Sequence, residues 1–136
     1  MNRLRMAVVG VGSLGKHHAR ILAGLDDVEL VAVADPRSEQ GQTIAARFGA
    51  DWFAAIEQLP SGLDGVIIAT PTVRHRETAE FFLRAGTAVL VEKPLAACLV
   101  DARFLGQLAA ESGLSIEHQW FDVDGLFSVN IFAPSS

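Results

Sequence analysis

The sequence has little cysteine and a deficit of basic residues, and each shortage argues against a class of protein. Its single cysteine, Cys98, excludes an internal disulfide framework and agrees with a reducing compartment. Asp and Glu number 16 against 11 Lys and Arg, which gives a formal net charge of −5, and the sequence contains no basic run. We therefore expect no nucleic-acid partner.

Long apolar runs are also missing. Hydrophobic residues make up 50% of the chain, yet no window approaches the roughly 18 uninterrupted apolar residues of a membrane span. The apolar run near the amino terminus breaks into glycines instead of a cleavage site for a secretory signal. We expect a cytoplasmic protein with no membrane partner, and 136 residues fit one domain of the usual ~100 to 200.

What the sequence does contain is an alternation of short β-branched runs with longer segments of helical period, which is typical of βαβ units. The strands are predicted at Leu4 to Val9, Glu29 to Ala34, Asp51 to Phe53, Gly65 to Ala69, Thr87 to Val91 and Leu114 to Glu117. The helices are predicted at Ser13 to Leu25, Ser38 to Phe48, Val73 to Ala85 and Leu99 to Ser112, with stops at Gly49, Gly86 and Gly113. Since the strands are almost continuously apolar, the fold class is α/β: a doubly wound parallel sheet, or Rossmann fold.

A glycine motif follows the first predicted strand. Gly10, Gly12 and Gly15 have G-x-G-x-x-G spacing, with Ser13 and Leu14 between the last two, at the opening of a helix. The first glycine permits a tight turn, the second lets a pyrophosphate approach the backbone, and the third lets the helix pack closely. Free N–H groups at the helix start can then bind the phosphates of a dinucleotide.

An acidic residue closes the second predicted strand. Asp35 lies about 20 residues beyond the glycines, where a carboxylate accepts hydrogen bonds from the adenosine ribose and repels a 2′-phosphate, so NAD is the expected cofactor. Arg37 leaves NADP open, because it can stack on adenine or reach a 2′-phosphate. The alternative for Arg37 is a solvated turn residue.

The fourth strand ends in Ala69, Thr70 and Pro71, at the sheet edge where ligands bind in doubly wound folds. Thr72 is a candidate N-cap for the next helix, and His75 in its first turn can face the cofactor or lie on the helix surface. His17 and His18, on the first helix, suit a structural role better than a metal site, and we predict no metal.

A lysine follows the fifth strand. Glu92 and Lys93 come directly after Val91, at the edge predicted for the nicotinamide. A lysine there can exchange a proton with a substrate hydroxyl while hydride moves, and Lys93 is the catalytic candidate. The alternative is a surface ion pair between Glu92 and Lys93, which would contribute little.

Three motifs, "GVGSLGKHHAR", "IIATPTVRHRETAEFFLRAG" and "VLVEKPLA", resemble in order and spacing the amino-terminal half of the glucose-fructose oxidoreductase, inositol dehydrogenase and rhizopine-catabolism (Gfo/Idh/MocA) family. The resemblance implies NAD(P)-dependent oxidation or reduction of sugars, polyols or nucleotide sugars. It places the three glycines at the pyrophosphate, Asp35 at the ribose, and Thr70, Pro71, His75, Glu92 and Lys93 at the nicotinamide end. The opening looks most like the branch acting on UDP-N-acetylglucosamine-type sugars.

The chain departs from the family pattern after Ile116. Family members continue into an α/β substrate domain that supplies an Asp-x-x-x-His pair and most sugar contacts, and we expect this chain to lack that domain. We therefore divide the chain into a dinucleotide-binding domain, 1–118, and a divergent tail, 119–136. The polypeptide alone is expected to bind cofactor with little or no turnover, needing a second domain for a sugar substrate; the alternative is a non-catalytic binding or oligomerising module.

The tail carries its own strand pattern. Phe127, Val129 and Ile131 alternate with Ser128 and Asn130, which predicts a strand that covers apolar surface or pairs with another chain. We predict from this pattern that the protein forms a homo-oligomer.

Overall fold

The computed structural model describes residues 3–92, 104–105, 107–108, 110–111, 113–121 and 128–134 of the chain. It divides into two compact units, Met1–Thr70 and Pro71–Ser136. No helix in the described part is both long and apolar enough to cross a membrane.

The first unit contains four parallel strands. They are β1 (Leu4–Val9), β2 (Val28–Ala34), β3 (Asp51–Phe53) and β4 (Gly65–Ile68). β1 pairs with β2 on one side and with β4 on the other, and β2 also pairs with β3. The parallel pairing predicted from the apolar runs is confirmed for these strands.

Burial explains why these strands lack polar residues. Ala7, Val8, Ala32 and Val33 are all 0% exposed, as is Ile68 at the end of β4. Successive strand residues point to opposite faces of a sheet, so burial of consecutive residues means that both faces are covered. Removing this apolar surface from water is the main stabilising contribution to the unit.

Two helices connect the strands of the first unit. α1 (Gly15–Ala23) is shorter than predicted. At its carboxyl end, the backbone N–H of Gly24 donates to the carbonyls of Ile21 and Leu22, and the helix ends there. α2 (Ser38–Phe48) has the predicted bounds and ends at Gly49, whose φ of 70° lies in the left-handed region. A 3-10 turn, Ile56–Gln58, follows β3.

In its described residues, the second unit begins with a helical segment and contains three strands. A 3-10 turn, Thr72–Arg74, leads into α3 (His75–Arg84). The strands are β5 (Ala88–Val91), β6 (Leu114–Phe121) and β7 (Ser128–Pro134). The backbone is also helical at 104–105, 107–108 and 110–111, inside the helix predicted for Leu99 to Ser112.

Strand pairing in the second unit differs from the prediction. β7 lies between β5 and β6 and pairs with both in antiparallel fashion, so β6 is not part of a wholly parallel arrangement. The predicted tail strand is present, but both of its sides are paired within the chain, which removes it as an edge for a second copy. β6 also continues to Phe121, beyond the end predicted for this strand at Glu117.

Candidate functional site

The carboxyl ends of three parallel strands meet at the glycine turn. The N–H of Gly10 donates to the carbonyl of Ala34 at 2.8 Å, and the N–H of Ala69 donates to that of Val9 at 2.8 Å. Gly10 has a φ of 86°, and a Cβ on it would lie 2.9 Å from backbone atoms of Ala69 and Thr70. Only glycine satisfies both requirements, so the turn lies directly against the end of β4.

The other two glycines of the motif have different surroundings. A Cβ on Gly15 would lie 1.7 Å from the carbonyl oxygen of Gly10, so α1 starts in direct contact with the turn. A Cβ on Gly12 would meet only the Nη2 atom of Arg37, at 3.4 Å. The backbone at Gly12 is therefore covered by a flexible side chain and not by the fold itself.

The amino terminus of α1 has no side-chain cap. Its N-cap residue is Leu14, which makes no capping hydrogen bond, and the first turn carries no acidic residue. The N–H of Lys16 donates to the carbonyl of Gly12 at 3.1 Å, so the amides of Ser13 and Leu14 precede the hydrogen-bond ladder of the helix. Ser13 and Leu14 are both exposed, and the positive end of the helix dipole is accessible to an anion.

Asp35 follows β2 beside this turn and is buried, with 2% exposure. Its Oδ2 accepts a hydrogen bond from the N–H of Val11 at 3.0 Å, and its Oδ1 accepts one from the N–H of Arg37 at 2.8 Å. Burial acts to raise the pKa of Asp35, but the hydrogen bonds from Arg37 and Val11 outweigh it and hold the pKa below its ordinary value. The carboxylate is therefore ionised at neutral pH.

Arg37 binds this carboxylate with its side chain as well. Its Nε donates to Oδ1 of Asp35 at 3.0 Å and its Nη2 to Oδ2 at 2.9 Å, which raises the pKa of Arg37. The Arg37 side chain is 61% exposed, against 2% for Asp35. The guanidinium thus covers Asp35 and Gly12 from the solvent side, which is a more specific arrangement than a solvated turn residue.

Three further residues of this neighbourhood were not predicted from the sequence. The Nε2 of Gln40, on α2, donates to the carbonyl of Val11 at 2.8 Å. The indole Nε1 of Trp52 donates to the backbone carbonyl of Asp35 at 2.9 Å, and a Cβ on Gly41 would lie 2.1 Å from that nitrogen. The sequence signal for this contact is a glycine inside a helical pattern, because such a glycine often allows another group to approach the helix closely.

The remaining predicted site residues belong to the second unit, apart from Ala69 and Thr70, which close the first. Pro71 precedes the 3-10 turn and accepts a hydrogen bond from the N–H of Arg74 at 2.9 Å. His75 opens α3 and is 1% exposed, so the alternative of a helix-surface histidine is wrong. Glu92 is half-buried after β5.

Two predictions about residues flanking these positions have different outcomes. Thr72 is not the N-cap of α3, because the 3-10 turn intervenes and Arg74 takes that position without a side-chain cap. Lys93, like Cys98, lies outside the described residues. Among the residues that are described, no group of three or more His, Cys, Asp or Glu side chains could hold a metal ion.

Known proteins are similar to this chain in sequence and fold. The chain matches the GFO_IDH_MocA family, "Oxidoreductase family, NAD-binding Rossmann fold", over residues 4–118. UDP-N-acetylglucosamine 3-dehydrogenase of Acidithiobacillus ferrooxidans is 34% identical over 114 residues, which cover 84% of this chain and 36% of that protein. Inositol 2-dehydrogenase of Rhizobium meliloti is 39% identical over 94 residues, or 68% of this chain and 28% of that protein.

A solved structure is also similar to this chain. The crystal structure of GenD2 from gentamicin A biosynthesis, in complex with NAD, aligns with a TM-score of 0.79 and 36% identity, over 83% of this chain and 33% of that chain. The chain thus spans about a third of the length of the relatives it matches. The Rossmann fold and the family resemblance predicted from the motifs are confirmed: the chain belongs to the Gfo/Idh/MocA family of oxidoreductases, and residues 4–118 match its NAD-binding domain.

Proposed function

We propose that the first unit binds the adenosine diphosphate half of NAD through the glycine turn and Asp35. The diphosphate lies at the uncapped start of α1, against the backbone of Gly10, Gly12, Ser13, Leu14 and Gly15, where the helix dipole favours negative charge. The ribose hydroxyls donate to the ionised carboxylate of Asp35. The observation that carries the proposal is this juxtaposition of an uncapped helix start with a buried, ionised carboxylate, joined through Val11.

Arg37 fits this proposal as the movable part of the site. Its guanidinium occupies both oxygens of Asp35 that the ribose would use, and its side chain is 61% exposed. Rotation towards solvent frees the carboxylate while the backbone bonds from Val11 and Arg37 stay in place. NAD is the preferred cofactor because Asp35 repels a 2′-phosphate, and Arg37 reduces that repulsion enough to keep NADP as a weaker ligand.

The nicotinamide end of the cofactor has its own set of residues in this proposal. Ala69, Thr70, Pro71, His75 and Glu92 bind the cofactor there, and Lys93 exchanges the proton of the substrate hydroxyl. NAD supplies the acceptor for a hydride when bound. Because the relatives include a nucleotide-sugar dehydrogenase and an inositol dehydrogenase, the substrate class is a sugar, polyol or nucleotide sugar, with a second domain providing its contacts.

Turnover by these residues alone is expected to be weak or absent. The matched relatives are about three times as long as the matching segment, since it covers 36% and 28% of them. Positioning of the substrate accounts for a large part of the rate of an enzyme, and the residues that position it would lie in the remainder of such a protein. A cofactor-binding module without turnover is the alternative function.

Calorimetric titration with NAD, NADP and ADP tests the binding proposal directly. The parent chain should bind NAD more tightly than NADP, and Asp35→Ala should lose at least about tenfold in NAD affinity, as expected for hydrogen bonds to a charged group. Asp51→Ala, which removes an exposed carboxylate from the start of β3, is the matched control and should keep its affinity. A parent chain that binds no dinucleotide would refute the proposal.

We also propose that the chain is cytoplasmic and associates with further copies of itself. The tail strand does not support it, because β7 is paired on both sides, but exposed apolar side chains elsewhere do. Ile21 and Leu25 are 51% and 43% exposed at the end of α1, and Phe81 on α3 is 41% exposed. Sedimentation equilibrium should show association that increases with concentration, and a monomer at all concentrations would contradict it.

A further inference from the structure

The peptide that joins Val11 to Gly12 is held in one orientation by a residue of α2. Gln40 is half-buried, and its Nε2 donates to the carbonyl oxygen of Val11 at 2.8 Å. The preceding peptide is held as well, because the N–H of Val11 donates to Oδ2 of Asp35 at 3.0 Å. The two peptides at the centre of the glycine turn are therefore fixed from outside the turn.

The hydrogen bond from Gln40 also sets the direction of a neighbouring donor. In a planar trans peptide the C=O and N–H bonds point in opposite directions. Since the carbonyl of Val11 points to Gln40, the N–H of Gly12 must point away from Gln40. Within the described part of the chain, this N–H donates to no acceptor.

We propose that Gln40 is a positioning residue for the diphosphate of a bound dinucleotide. It acts through the carbonyl of Val11, keeps the N–H of Gly12 directed at the phosphate oxygens, and itself touches no atom of the ligand. This inference rests on the proposed function and deepens it. It assigns to α2 a role in phosphate binding that is separate from the role of Asp35 in ribose binding.

Substitution of Gln40 separates the phosphate contribution from the rest of the site. Gln40→Met keeps the length of the side chain and removes the donor, so the Val11–Gly12 peptide can rotate. We expect affinity for NAD and for ADP to fall about tenfold, as for loss of a charge-assisted hydrogen bond, while the affinity for adenosine, measured by NMR titration, stays within about twofold. Gln42→Met is the matched control, since Gln42 lies on the same helix, is exposed and bonds only to Ser38 Oγ.

A second variant gives a readout that a purely structural role would not produce. Gln40→Glu places an ionised carboxylate, which cannot donate, against the carbonyl of Val11, so NAD binding at neutral pH should be weaker than in Gln40→Met. Protonation restores an O–H donor as the pH falls towards the glutamic acid range near about 4.3, and Asp35 stays ionised because its pKa is lowered. NAD affinity of Gln40→Glu relative to Gln40→Met should therefore rise as the pH falls.

The possible outcomes distinguish this inference from the proposed function. A wild-type chain that fails to bind NAD removes both. Wild-type binding together with unchanged NAD and ADP affinities in Gln40→Met refutes the role of Gln40 alone. An equal loss for adenosine and ADP, or no pH-dependent recovery in Gln40→Glu, also refutes it, because a general loosening of the fold would weaken all ligands alike.

Discussion

Arg37 donates three hydrogen bonds to the carboxylate of Asp35, one from its backbone N–H at 2.8 Å and two from its guanidinium at 3.0 and 2.9 Å. The residues are two apart in sequence, and the extended backbone at Arg37, with φ −83° and ψ 99°, brings the side chain back over the strand end. The guanidinium therefore neutralises the one buried carboxylate of the described site. A ribose bound as proposed would have to displace this guanidinium from Asp35.

Replacing Arg37 should change the preference between the two cofactors. In Arg37→Met the carboxylate of Asp35 is no longer neutralised, so it repels a 2′-phosphate more strongly. We expect NADP affinity to fall about tenfold relative to NAD affinity, measured for both by calorimetry. Arg37→Lys, which keeps the charge, is the control; an unchanged ratio in Arg37→Met would show that Arg37 has no part in selection.

Adding a methyl group to different glycines of the turn should have different effects. In Gly15→Ala the Cβ would lie 1.7 Å from the carbonyl of Gly10, which cannot move without disturbing β1, so the free energy of unfolding should fall by about 3 kcal/mol or more. In Gly12→Ala the Cβ meets only the end of the Arg37 side chain at 3.4 Å. This variant should keep its stability and lose NAD affinity by at least about tenfold, because the methyl group would occupy the position proposed for the diphosphate. Urea unfolding and calorimetry test the two parts, and equal stability of the variants would contradict the geometry.

Because Gly41 lies against Trp52, replacing Gly41 with alanine should have opposite effects on stability in the presence and absence of the Trp52 side chain. Gly41→Ala places a Cβ 2.1 Å from Nε1 of Trp52, so it should destabilise the wild-type chain by about 1 to 3 kcal/mol. In a Trp52→Ala background the clash is gone, and the same change should stabilise α2 by up to about 1 kcal/mol, since alanine favours a helix. Urea unfolding of all four proteins, followed by far-UV circular dichroism, measures the coupling. Effects of the same sign in both backgrounds would rule out the contact.

The pH dependence of stability should report on Asp35. Its pKa in the folded protein is below the ordinary value of 3.8, so its ionised form stabilises the fold above that value, and the contribution is lost as the pH falls towards the folded pKa. The difference in unfolding free energy between wild type and Asp35→Asn should therefore shrink from about pH 5 to about pH 2. Asp51→Asn is the exposed control. A difference that does not vary with pH would contradict the lowered pKa.

The first unit could be predicted closely from local signals. Strands β1 and β3 and helix α2 have the predicted bounds, because apolar runs, helical period and Gly49 mark their ends independently of the rest of the chain. The glycine spacing and Asp35 likewise indicate a dinucleotide site by themselves. These features depend on residues close in sequence or on a fixed distance along one βαβ unit.

Other features depend on contacts that local sequence patterns do not reveal. The alternation around Val129 predicted a strand but not its partners, since antiparallel pairing with β5 and β6 is a tertiary choice. For Arg37 the sequence left adenine, a 2′-phosphate and solvent as alternatives. It did not show that the buried carboxylate of Asp35 would be the partner of this side chain. Gln40 shows no pattern that distinguishes it from Gln42, because both are ordinary polar residues on a helix and only one of them meets a carbonyl.

The position of β7 between β5 and β6 has a consequence for the order of folding. β5 and β6 both precede β7 in the chain, and β7 pairs with each of them in antiparallel fashion, so β6 acquires its partner only when β7 pairs with it. The pairing of β5 with β7 encloses all the intervening chain, and closing so large a loop costs conformational entropy before any contact repays it. The amides that join β5 to β7 should therefore gain protection late in pulse-labelled hydrogen exchange, after the local hairpin of β6 and β7 has formed.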